Sequence, residues 1–203
     1  MNTRIQLSVL LVILGCFLVL IPQKPTDKFS VMPRELALWA STDTNSVTVD
    51  EVARLINNET PDITLIDIRN AEDFNKCNLP GSVNIPLQNL PEAEYKPLLG
   101  RRTGKNIFYS NGDEVSSAAL TLAAGMGFKN CYRMQGGINE WYAIIMNASF
   151  AGDHITAKEN ALYANRFDAK RLFTQYNSLP DSLKTKLFAS RQMEKAKLDG
   201  GCE

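Results

Sequence analysis

An α/β architecture, a parallel sheet with helices on both faces, is expected from three features of this chain. Short apolar runs alternate with helical segments between Ser46 and Met146, as in parallel strands joined by crossover helices. The runs Ile63–Ile68 and Lys105–Tyr109 are mostly apolar rather than alternating, which suits strands buried on both faces. Turn-forming residues bound the first of them, Pro61-Asp62 before it and Asn70 after it.

Taken in order, the chain begins with an apolar run from Ile5 to Ile21, broken only by Gln6 and Ser8 in polarity, with Arg4 before it and Pro22 after it. At about 17 residues it reaches the lower limit for a membrane-spanning helix. A signal peptide, a signal anchor and a lipoprotein signal all begin this way. No small-x-small cleavage site follows closely, which favours retention. Ile13-Leu-Gly-Cys16 is similar to a bacterial lipobox that would lipidate Cys16, but Phe17 to Ile21 stay strongly apolar where a polar tether is usual. Residues 1–22 are therefore expected to hold the protein at a membrane through 5–21. The soluble part is then expected in the periplasm or another extracytoplasmic space. Arg4 before the run is balanced by Lys24 and Lys28 after it, so charge does not settle the orientation. A polar, proline-containing linker occupies 23–45.

The globular part is expected at 46–147. Val47-Thr-Val is a short strand, and Thr48 or Asp50 can cap a helix reaching Ile56. Further strands are expected at Ile63–Ile68, Val83–Ile85, Lys105–Tyr109 and Cys131–Met134, about five in all. Helical segments near Ala71–Asn75, Ala93–Leu99, Ser116–Gly125 and Ile138–Met146 separate or follow them. The remainder, 148–203, is a helical extension. Ala157–Tyr176 carries apolar residues near helical period, Leu179-Pro180-Asp181 breaks it, and Ser182–Lys197 reads as the second arm of a hairpin. Gly200-Gly-Cys-Glu203 is a flexible end.

Composition narrows the function. The 203 residues carry 22 basic and 22 acidic side chains, so no general nucleic-acid surface is expected. The four cysteines, Cys16, Cys77, Cys131 and Cys202, have no metal-ligand spacing, and His154 is the single histidine. No metal and no cofactor are expected. In parallel sheets, sites gather at the carboxyl ends of strands. Asp67 and Ser110 both fall there. Ser110 follows a strand and faces the start of a helix, where free backbone N–H groups and the positive helix end converge. A cysteine in that place would become a thiolate; a serine stays protonated unless a base activates it.

Three separated motifs resemble the rhodanese-like family, over roughly Ser46 to Met146. They are Leu65-Ile-Asp67-Ile-Arg69 with Asp73-Phe74, then Leu79-Pro-Gly81-Ser-Val-Asn84-Ile-Pro86, then Gly127-Phe through Gly136-Gly137 to Trp141. The resemblance implies a five-stranded rhodanese-like sheet and a pocket at Asp67, Arg69 and the loop Ser110, Asn111, Gly112, Asp113, Glu114, Val115 and Ser116. Active members start that loop with the cysteine that accepts sulfur as a persulfide, and often carry an Arg there to hold the anionic donor. Here the position is Ser110 and the loop has Asp113 and Glu114 without Arg or Lys. The family's usual Gly-His reads Cys77-Asn78. A phosphatase relative would need the same cysteine and an Arg, so that reading fares worst.

In family terms Asp67 forms the floor of the site and Arg69 bridges elements. Asp113 and Glu114 favour the helix N-terminus but oppose an incoming anion, which leaves two readings of the loop: its amides cradle an anion weakly, or they are capped from within. Gly136 and Gly137 serve a turn, since no P-loop Lys-Ser/Thr follows. Cys131 reads as a buried inert thiol. Cys77, next to Lys76, and Cys202, on the mobile tail, are the alternative thiols for sulfur transfer. The leading expectation is a membrane-anchored member lacking the standard sulfurtransferase activity. It would bind or assemble with an unidentified protein partner, with no catalytic residue assigned to the loop.

Overall fold

The computed structural model describes residues 4, 12, 13, 45–149, 156–184, 186, 187 and 190. The apolar run at 5–21 lies outside them except for Val12 and Ile13, as do Cys16, the linker except Asn45, His154 and Cys202. Among the described residues no helix is long and apolar enough to cross a membrane.

Five parallel strands form one sheet: β1 (Ser46–Val47), β2 (Ile63–Asp67), β3 (Val83–Asn84), β4 (Lys105–Tyr109) and β5 (Cys131–Met134), in the order β1-β5-β4-β2-β3. The two central strands pair from Ile63 with Lys105 to Asp67 with Tyr109. That register brings the carboxyl ends of β2 and β4 side by side, so Asp67 and Tyr109 are neighbours at the edge where the site forms. Successive side chains point to opposite faces. Leu65, Ile107 and Tyr109 enter one core, whereas Ile66 and Phe108 enter the other.

Helices cover both faces. On the first lie α1 (Val49–Asn57) and α5 (Gly137–Trp141), the latter continued by a π-helical turn at Tyr142–Met146. On the second lie α3 (Lys96–Leu99) and α4 (Asp113–Gly125), while α2 (Ala71–Lys76) buries no residue. Local sequence explains the helix starts. The Thr48 side chain accepts from the Glu51 N–H, and the Asn70 side chain accepts from the Asp73 N–H. The first helix of the extension, α6 (Ala157–Ser178), opens with a capping box between Thr156 and Glu159. This box holds the Glu159 carboxyl below its ordinary pKa, because the Thr156 backbone and hydroxyl donate to its ionised form.

The α6 helix does not stand apart. Ala169, Leu172, Phe173 and Tyr176, spaced i, i+3, i+4 and i+7, are buried. Ala169, Leu172 and Phe173 belong to the same core as α1, α5 and Trp141. Polar contacts fix its register on α1: Arg166 forms two hydrogen bonds of 2.7 Å with the Asp50 carboxylate, and Asn57 donates to Asn165 at 2.8 and 2.9 Å. Arg166→Ala is expected to lower stability by about 1 kcal/mol, the upper end for such a partly exposed pair. Urea denaturation checks this; no loss would mean that the ion pair does not hold α6. Beyond Pro180, residues 181–184, 186, 187 and 190 are helical, and Leu187 packs against the core.

Candidate active-site pocket

The candidate site is built on an ion pair excluded from water. The Asp67 side chain is fully buried and the Arg69 side chain is 5% exposed. Asp67 Oδ1 accepts from the Arg69 backbone N–H at 2.9 Å and from its Nε at 3.0 Å, and Oδ2 accepts from Nη2 at 2.6 Å. Burial alone would lower the Arg69 pKa, but the hydrogen bonds and charge of Asp67 reverse this, and the net shift is upward. The guanidinium therefore stays charged wherever the fold survives. Its remaining donors reach outward, to the Cys77 carbonyl at 2.7 Å and the Asn111 Oδ1 at 3.3 Å. Arg69 thus bridges three segments, the end of β2, the segment after α2 and the loop after β4.

That loop starts at Ser110, which is 4% exposed. The Ser110 carbonyl accepts from the Ile138 N–H at 2.8 Å, and the Asn111 carbonyl accepts from the Asn139 N–H at 3.1 Å. These bonds staple the loop to the start of α5, and they explain the double glycine. Gly137 has φ +59°, and a Cβ there would lie 2.4 Å from the Ser110 carbonyl oxygen. The glycines serve the turn and the close approach. Ser110 is the first residue after β4, and its hydroxyl has no hydrogen-bond partner among the described residues.

One loop boundary is corrected. The helix begins at Asp113, three residues before Ser116, so Asp113, Glu114 and Val115 form its first turn instead of the loop. Of the two readings of the loop amides, the open one fits the hydrogen bonds among the described residues. Gly112 occupies the N-cap without a side-chain bond, and the N–H groups of Asn111 to Val115 meet no acceptor among the described residues. The Asp113 carboxylate is turned away, to the Arg133 guanidinium and, at 2.9 Å, to the Gly136 N–H. The acidic residue expected to repel an anion is therefore neutralised across the loop by a residue of β5. Glu114 remains exposed. Ser116 is fully buried, and its hydroxyl donates back to the Gly112 and Asp113 carbonyls at 3.1 and 3.0 Å.

The thiols divide clearly. Cys131 is fully buried, and burial pushes its pKa up to about 12 against a smaller opposing hydrogen bond from Asn106. Cys77 is half-buried. Its sulfur adjoins Tyr142, whose phenol is raised first by burial and then by the adjacent thiol. Lys76 does not serve Cys77: its ammonium is paired with Glu72 at 2.9 Å and Asp73 at 3.5 Å on its own helix. The structure thus brings together Asp67, Arg69, Asn111 and the backbone of Cys77, with Ser110 next in chain to Asn111. Sequence reasoning passed over Arg133 and Tyr142, because neither stands near its partner in the chain. Among the described residues no cluster of His, Cys, Asp or Glu could hold a metal ion.

Comparison with known proteins accords with this geometry. A family model for the rhodanese-like domain matches residues 48–144. A thiosulfate:glutathione sulfurtransferase of Saccharomyces cerevisiae is 22% identical over 51% of this chain and 87% of its own length. A mouse protein described as thiosulfate sulfurtransferase/rhodanese-like domain-containing protein 3 is 31% identical over 47% of this chain and 66% of its own length. The solution structure of a rhodanese-like domain from Anabaena sp. is 21% identical, with a TM-score of 0.44 over 55% of this chain and 89% of that one. Residues 48–144 are thus a rhodanese-like domain of the sulfurtransferase family.

Proposed function

We propose that this is a membrane-anchored binding module that holds an anionic group in the loop at 110–116 and does not carry sulfur on it. One observation carries the reading: a serine occupies the head of a loop whose amides are open. Backbone N–H groups at a helix start favour anions, so the cradle can hold an oxyanion or a partner's acidic group. A protonated hydroxyl cannot take up sulfur as a persulfide, and no base for Ser110 is found among the described residues. Val115 and Tyr142, 39% and 42% exposed, give the neighbouring surface the apolar character of a protein contact. The membrane part rests on the apolar run at 5–21 and its lack of a close cleavage site.

The test has two arms. Titration with sulfite should shift the amide resonances of Asn111 to Val115, while thiosulfate:cyanide turnover stays at background. Turnover that survives replacement of every cysteine and disappears on Ser110→Ala would overturn the reading. So would amide signals indifferent to sulfite. Membrane fractionation tests the anchor, and a soluble protein whose mature N-terminus lies beyond Pro22 would refute it.

A second reading draws on Arg69, which binds both the Cys77 carbonyl and Asn111. Cys77 would then be a displaced sulfur acceptor. Its thiolate would attack the outer sulfur of thiosulfate, the S–S bond would break, sulfite would leave, and a persulfide would remain on Cys77. Intact mass after thiosulfate treatment separates the two readings, since only this one predicts gain of a sulfur atom that Cys77→Ser abolishes.

A further inference from the structure

The last turns of α6 grip the segment that carries Cys77. Asn177 Oδ1 accepts from the Asn78 backbone N–H at 3.0 Å, and Asn177 Nδ2 donates to the Asn78 carbonyl at 3.0 Å and to the Phe173 carbonyl at 2.9 Å. The neighbouring Tyr176 hydroxyl meets the Gly81 backbone N–H. Asn177 therefore pairs with Asn78 as one strand residue pairs with another, across 99 positions of chain.

The geometry has a consequence for the site. The Asn78 N–H and the Cys77 carbonyl belong to one planar peptide unit. Asn177 holds its N–H end, and Arg69 Nη2 holds its C=O end at 2.7 Å. The same guanidinium reaches Asn111 Oδ1 at the head of the cradle. Three rigid groups in series, a side-chain amide, a peptide plane and a guanidinium, thus connect α6 to the loop beside Ser110. A peptide unit bonded at both ends is also polarised, which strengthens each bond. Without Asn177, the 77–78 peptide loses its hold at the N–H end, and rotation of that plane moves the carbonyl that Arg69 uses.

We infer that Asn177 is a positioning residue for the anion cradle, so that the C-terminal extension completes the site. This inference rests on the cradle reading above. It assigns α6 a role beyond covering the core, and it marks the region after Asn147 as part of the functional unit.

The test uses the full chain. Sulfite affinity is read from amide shifts at Asn111 to Val115, and the Arg69 Nε–H resonance is followed in the same spectra. Asn177→Ala is expected to weaken sulfite binding about fivefold, the value of one hydrogen bond, and to shift or broaden the Arg69 signal. Asn177→Asp keeps the acceptor for the Asn78 N–H, so it should fall between, and it serves if the alanine variant does not fold. Arg166→Ala cuts a different attachment of α6 and lies outside the relay, so both readouts should stay at their wild-type values. Sulfite binding by Asn177→Ala equal to wild type, with an unchanged Arg69 signal, would overturn this inference alone. A wild-type chain that binds no sulfite would overturn it together with the cradle reading. Equal weakening by Arg166→Ala would show that α6 acts through general stability, and would also defeat the positioning role.

Discussion

Arg69→Ala is expected to destabilise the protein by about 3–5 kcal/mol, the usual cost of breaking a buried ion pair by removing one partner. The Asp67 side chain has no exposure, so its charge cannot be rehydrated without opening the sheet edge. Of its four hydrogen bonds from Arg69, only the one from the backbone N–H would survive. The Cys77 carbonyl and Asn111 Oδ1 would lose a donor as well. Replacing both members, as in Asp67→Leu with Arg69→Met, removes the charge and its partner together and is expected to cost much less. Urea denaturation of the two variants checks the contrast. A loss below about 1 kcal/mol for Arg69→Ala would mean that water reaches the carboxylate. The double variant should nevertheless lose anion binding, because the bridge to the 77–78 peptide and to Asn111 goes with the guanidinium.

How far such a site can be read from residues alone depends on whether partners lie close in sequence. The Asp67–Arg69 pair spans two positions, and the Thr48 cap three. Both follow from local chemistry, as does the sheet, because apolar runs bounded by turn residues have few alternatives to burial. Contacts across the fold are different. Arg133 lies 20 positions from Asp113, and nothing in Tyr132-Arg133-Met134 marks it as that carboxylate's partner. The expected repulsion of an anion by Asp113 is consequently cancelled by a residue that the sequence does not point to. Hydrophobic period indicated that the extension is helical. It could not say that Asn177 meets Asn78, because the contact face of a helix is chosen by its tertiary neighbours. The early start of α4 follows from Gly112, which joins the N-cap through its extended backbone and so offers no side chain to read.

Ser110→Cys should produce a thiol with a pKa depressed below the ordinary value of about 8.5, in the range of about 3.5–7.5 found at helix N-termini. The open N–H groups of Asn111 to Val115 follow residue 110 directly, at the start of a 13-residue helix. Their partial positive charge favours thiolate over thiol. The change replaces oxygen with sulfur at a buried position, a small increase in volume, so the fold should hold. Of the two acids in the first turn, Asp113 is already paired with Arg133, leaving Glu114 as the charge that opposes the thiolate. Glu114→Gln should therefore lower the new pKa further. Arg133→Ala should raise it by releasing the Asp113 carboxylate. Sulfur loading from thiosulfate should remain slow, because Arg69 is committed to Asp67 and the loop holds no Arg of its own. Alkylation rate at residue 110 as a function of pH, in a background without the other thiols, measures all three variants. A thiol that titrates at or above the ordinary value would show that the amides do not face residue 110. The serine would then mark a loop kept for its contacts with α5 alone.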